Sequence, residues 1–404
     1  MKKEWSKISL IFLFLVALLG TLLRSTAFIQ IPFEYQNLVH AHSHVAFQGW
    51  VYLVMILLLT NTFLDKIQIE KRRYPLQFKL TIFIVIGVLV SFSLQGYGLY
   101  SIIFSTVFQL LNYWFVFSFL KDIKKINSTT QNSISIRFVK TGLWLGLLST
   151  VLPYGIGILS AKGLNETEAY KSLIYSFLHL QYNGWFLFVI LGLFFNYLDK
   201  NGILYNHKYG TLFYWLFTAC VIPSISLSLL GMEFSSYLLP LAYCSSAIMG
   251  IALIYFILTI QRNLVKGIRL ESNWFKLYFF AFLMSFVLKI VLQCISVLPY
   301  LNTYAFYNKS IIIGYLHLSL IGSISCLLLA LLIKQKWIVL NGLVKMGSTL
   351  IMVGFVTTEI LLMLMGIGIF NNQIVLIIGS AAMVMGILMI IISGIQNKRQ
   401  YGAL

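Results

Sequence analysis

Long apolar runs, broken by short polar segments rich in lysine, pattern the whole chain. A helix that crosses a bilayer needs about 20 apolar residues to cover about 30 Å. On that measure the 404-residue chain predicts twelve spans, near 8–23, 38–64, 78–96, 99–120, 138–160, 170–198, 210–230, 237–260, 274–298, 311–333, 346–369 and 374–393. The first run follows Lys2, Lys3 and Lys7, as a secretory leader would. Arg24 and an aromatic, proline-containing stretch come after it without a cleavage site, so it reads as a helix. The longest connections, 24–37, 65–77 and 121–137, are too short to fold alone. The pattern therefore predicts one all-α, polytopic transmembrane domain over 1–404, with no soluble domain.

Composition agrees. Only 10% of the residues are charged and 59% are hydrophobic, whereas a soluble domain carries about 25% charged residues. The formal net charge of +18 would suggest nucleic acid in a soluble protein. Here the basic residues alternate between connections. Twenty-four fall on one side of the twelve spans, and only Arg24, Lys162, Lys171 and Lys309 fall on the other. That is the positive-inside pattern. It places both termini in the cytoplasm and the chain in a membrane of the bacterial inner type, with the lipid bilayer as its main partner and no nucleic acid. The four cysteines all lie in apolar spans without a CxxC pair and read as small buried hydrophobes.

Five of the six histidines fall within or at the entrance of spans. His40, His42 and His44 open helix 2, His179 lies in helix 6 and His317 in helix 10. The segments after three of them align. Helix 2 reads His44-Val45-Ala46-Phe47-Gln48-Gly49-Trp50, and helix 6 reads His179-Leu180-Gln181-Tyr182-Asn183-Gly184-Trp185. Helix 10 reads His317-Leu318-Ser319-Leu320-Ile321-Gly322-Ser323. A glycine follows each histidine at the same distance, and the first two segments share an amide and a tryptophan as well. Helices 2, 6 and 10 are spaced by four, which predicts three quasi-repeats, near 1–125, 126–262 and 263–404. The three imidazoles would lie about 9–14 Å below the outer edge of their spans. Ionisable groups at such depth are candidates for function, because hydrocarbon makes them costly without partners. Three imidazoles at one level suit a haem or metal site; interhelical hydrogen bonding by neutral rings is the alternative. Gly49 and Gly322 would let a flat group or a neighbouring helix approach. His44 is the deepest of its group and carries the repeated pattern, so it is the expected ligand on helix 2. His40 and His42 would line a second site nearer the outer surface.

These residues resemble subunit I of the haem–copper oxidase superfamily, which includes the nitric oxide reductases. The segment His42-Ser43-His44 with Gly49 is also similar to NnrS-like haem membrane proteins. The resemblance implies twelve helices in three four-helix arcs with pseudo-threefold arrangement. It implies that His44 and His317 hold a haem b, and that His179 takes the place of a copper ligand. It further implies electron transfer or oxygen or nitric oxide chemistry, a quinol or cytochrome c-type donor, and partner subunits. The family has a histidine pair on helix 7 and two histidines on helix 10. This chain has none in 211–230 and only His317 on helix 10. A single bis-histidine haem beside an incomplete copper and high-spin haem centre is what remains.

Two further charges lie inside spans. Lys289 in helix 9 and Glu359 in helix 11 are each about 20 Å from the cytoplasmic end. Equal depth suggests a buried ion pair or a proton path. Competing functions are a metal-ion or solute transporter with His40, His42, His44 and His179 as an outer copper or zinc site, and a scaffold without cofactor. No phosphate-binding loop, nucleophile elbow or HExxH motif occurs, so hydrolase and nucleotide functions find no support.

Overall fold

The computed structural model describes residues 2–125, 133–260 and 263–401. Among them there is no strand. Hydrocarbon offers the backbone no hydrogen bonds, so an apolar chain satisfies itself within helices. We number the twelve longer helices in chain order. They are α1 (Lys2–Ser25), α2 (Tyr35–Phe63), α3 (Tyr74–Gln95), α4 (Leu99–Ile123), α5 (Ile134–Ala161) and α6 (Glu168–Lys200), followed by α7 (His207–Val221), α8 (Ser235–Ile260), α9 (Asn273–Ile295), α10 (Lys309–Lys334), α11 (Gly342–Gly366) and α12 (Gln373–Tyr401). Side-chain oxygens of Ser133, Thr167, Asn206, Ser272, Asn308 and Asn341 accept from backbone N–H groups of the first turn and start six of them.

Eleven of these helices among the described residues are long and apolar enough to cross a membrane. The chain is thus a polytopic helical membrane protein. The exception is α7. The apolar run over 210–230 predicted one continuous span, but the helix has 15 residues and stops at Val221. Pro223 supplies no N–H, and the chain turns through 222–224 before the short helix Ile225–Ser228. Hydropathy records how apolar a segment is and not whether its backbone ladder continues. Pro153 similarly opens the second half of α5, after a turn at 150–151.

The chain packs as two units, Met1–Ile126 with Leu328–Leu404, and Asn127–Leu327. The expected quasi-repeats cut across this division: the third is shared between the units. In the first unit, α11 and α12 meet through glycines. A side chain on Gly354 would strike the Gly379 carbonyl, and one on Gly347 would strike that of Gly386. Small residues let two backbones approach in this way. At the other end of α4, Asp122 is 2% exposed. It takes Arg72 Nε at 3.2 Å and the Tyr74 hydroxyl at 2.9 Å, tying the α2–α3 connection to α4. The second unit is centred on aromatic side chains of α5 to α9, including Phe138, Phe194, Phe213 and Phe286, whose rings meet in tilted and edge-on pairs.

The histidine-bearing helices are the most enclosed. Buried residues make up 78% of the apolar window of α2, 89% of α6 and 78% of α10, against 28–50% for the other spans. Each also changes its winding at one place. The π-helical stretches Val45–Val51, Leu180–Phe186 and Leu318–Ser325 begin directly after His44, His179 and His317. π-helical turns are rare and frequent at functional sites. In α10, serine hydroxyls fit the wider winding: Ser323 and Ser325 donate to the carbonyls of Leu318 and Leu320, five residues back.

Candidate functional site

In the second unit, the end of α7 determines the surroundings of His179. A continuing α-helix would give the Val221 carbonyl the N–H of Ile225. That N–H instead bonds Ile222 O at 3.0 Å. The freed Val221 oxygen takes the Ser224 hydroxyl at 3.0 Å and His179 Nε2 at 3.0 Å. A carbonyl only accepts, so His179 carries its proton on Nε2. The other ring nitrogen, Nδ1, receives the Asn183 amide and the Ser228 hydroxyl, each at 3.1 Å.

Lys289 settles which way that amide points. Its ammonium donates to Asn183 Oδ1 and, at 3.2 Å, to Gln293 Oε1. Tyr315 donates to the same Gln293 oxygen at 3.0 Å, and its ring lies 5.6 Å from the ammonium. An ammonium has no acceptor, so Asn183 must turn its oxygen to Lys289 and its Nδ2 to His179. The chain of donors runs one way, from Lys289 through Asn183 and His179 to Val221. His179 is fully buried and both its nitrogens are engaged. The copper ligand expected here does not fit, because no lone pair of the imidazole is left for a metal. The amide shared by the repeated segments was the sequence signal for this network; Gln293, Tyr315 and Ser228 had none.

Lys289 and Glu359, read from the sequence as a buried ion pair or a proton path, lie in different units. Within its own unit, Lys289 is held by Asn183 and Gln293.

In the first unit the three histidines of α2 part company. His42 turns to α1. Its Nδ1 lies 3.0 Å from the Val16 carbonyl and must donate to it, which leaves the lone pair on Nε2. Nε2 has no hydrogen-bond partner among the described residues. Gly20 makes room for the ring: a Cβ there would come within 3.0 Å of His42 Cε1. One turn further along α1, Arg24 donates through Nη1 to the Leu376 carbonyl at 3.3 Å and to the Ser380 hydroxyl. Its Nη2 is buried without a hydrogen-bond partner. Sequence reasoning counted Arg24 only as an outer-side charge.

His40 and His44 face α3 instead. The His44 ring stacks on Phe92 at 4.2 Å, and the His40 ring meets Tyr97 edge-on at 4.6 Å. The shared site expected of His40 and His42 is therefore not formed: residues two apart on a helix point about 200° from each other. Gly49 is packing space and not a cradle for a flat group, since a Cβ there would meet Phe12 at 2.9 Å and Val85 at 3.1 Å. His317 is half-buried and opens the π-helical stretch of α10, in which Gly322 is buried. Within either unit, among the described residues, no three His, Cys, Asp or Glu side chains gather as a metal ion would need.

His42 and Arg24 offer donor groups of the kind that hold a haem. A ligating imidazole characteristically donates its other N–H to a backbone carbonyl or carboxylate. A buried guanidinium with an unused N–H matches a carboxylate of the kind haem carries. Comparison of the sequence with known protein families and with curated proteins gave no match.

Proposed function

We propose that this chain is a haem-binding redox protein of the membrane, with His42 as an axial ligand. The observation that carries the reading is the Nδ1–H of His42 on the Val16 carbonyl, which leaves Nε2 as the free ligand atom. The carbonyl fixes the tautomer and makes the opposite nitrogen more basic. Arg24 would hold a haem propionate through Nη2. Gly20 keeps the His42 ring close to α1. A haem held there would supply electron-transfer chemistry, while His42 binds and orients it.

In its own unit, His317 lies directly before a π-helical stretch, which supports a special role for it. Cytoplasmic termini and a bacterial inner membrane belong to the same reading. The alternation of basic residues supports the orientation. A quinol or cytochrome c-type donor, partner subunits, and oxygen or nitric oxide as acceptor come to it from the resemblance. Copper at His179 is not part of it.

The test is a reduced-minus-oxidised absorption spectrum of protein purified from cells supplied with haem. Sharp low-spin b-type bands are expected. A folded protein without them overturns the reading.

A further inference from the structure

We propose that His40 and His44 form a binding site for one divalent transition-metal ion, of the copper(II) or zinc class, on the face of α2 opposite His42. The two residues are one turn apart in the α-helical stretch Tyr35–His44, so their imidazoles are neighbours. Two rings of α3 and its following turn hold both on the same side. Phe92 lies 4.2 Å from the His44 ring and 6.2 Å from that of His40; Tyr97 lies 6.1 Å and 4.6 Å from them. Packing of both imidazoles on one aromatic pair removes most of the rotamer freedom that a metal would otherwise have to restrict.

The donor chemistry favours such an ion. Neither ring nitrogen of His40 has a hydrogen-bond partner among the described residues. The Gln48 amide nitrogen lies 3.3 Å from His44 Nδ1, while Gln48 Oε1 is buried with no partner. Turning this amide end for end gives Oε1 the Nδ1–H of His44. It would give the oxygen a donor, put the amide NH2 where Oε1 now lies, and move the lone pair to Nε2, where the long 3.4 Å contact with the exposed Tyr97 hydroxyl would have to yield to a metal. Gln48 is thus placed to orient His44 as a ligand. No such freedom exists at His179, where Lys289 holds the corresponding amide. Two imidazoles without a carboxylate suit copper, zinc or nickel and not calcium or magnesium. Tyr97 is 60% exposed, so water can reach the site and complete the coordination.

The site does not depend on haem at His42, and its test separates the two. Protein without a polyhistidine tag is stripped with a chelator and titrated with copper(II), read by electron paramagnetic resonance. One copper per chain with nitrogen couplings from two imidazoles is expected. His40→Ala and His44→Ala each weaken it at least about tenfold, Gln48→Leu by roughly 10–100-fold, and His42→Ala leaves it unchanged. His40→Gln, at the half-exposed end of the helix, repeats the test where His44→Ala disturbs folding. Copper bound equally well by His40→Gln and wild type, or lost in His42→Ala alone, overturns the proposal.

Discussion

Asn183 stands between His179 and Lys289, with Nδ2 3.1 Å from the imidazole and Oδ1 accepting from the ammonium. The buried charge of Lys289, 1% exposed, is held by amide oxygens and the Tyr315 ring. Removing one member leaves the others unsatisfied, which costs more than the bond itself gains. Asn183→Leu should destabilise the protein by about 3–5 kcal/mol. The double variant Asn183→Leu/Lys289→Met should be less damaged than the single one. Thermal unfolding in detergent measures both. Simple additivity would show that the residues act independently.

His179 acts on the broken end of α7. His179→Ala leaves the Val221 carbonyl to Ser224 alone and should cost roughly 1–3 kcal/mol. Elemental analysis gives the readout that a merely destabilised metal site would not: copper and zinc content should be the same in His179→Ala and wild type. A metal lost with the histidine would return His179 to the ligands.

The contact between α11 and α12 depends on glycines facing carbonyls. Gly354→Leu has no space against Gly379 and should destabilise by about 1–3 kcal/mol through displaced backbone. Gly368 has φ +74° and open space around it, so an alanine there strains the turn without any clash. Unfolding midpoints of the two variants separate helix packing from turn conformation.

Hydropathy made the long helices legible, and the glycine placed identically after His44, His179 and His317 marked the three places where the winding changes. The shared amide marked Gln48 and Asn183, whose contacts with Nδ1 of His44 and His179 explain its recurrence. Which neighbouring helix each face meets was not legible. Pairing Lys289 with Glu359 used depth alone, and choosing His44 over His42 used depth and repetition. The end of α7 was hidden because the residues around Pro223 are as apolar as a span. Arg24 looked like a loop charge, since nothing in its own segment shows that Ser380 and Leu376 receive it.

Arg24 separates cofactor binding from packing. Arg24→Gln keeps a donor for Ser380 but loses the buried cationic N–H. It should retain helix content while lowering haem affinity by roughly tenfold or more, because a charge-assisted bond to a carboxylate is worth about 1.5–3 kcal/mol. Haem titration of the apoprotein measures this. Unchanged affinity would remove Arg24 from the site.

The most direct test of the account compares the low-spin absorption bands of His42→Ala and His44→Ala, each confirmed as folded by circular dichroism. The geometry at Val16 predicts that His42→Ala abolishes the bands and that His44→Ala retains them. Bands kept in His42→Ala and lost in His44→Ala would contradict it and place the haem on the repeated histidine.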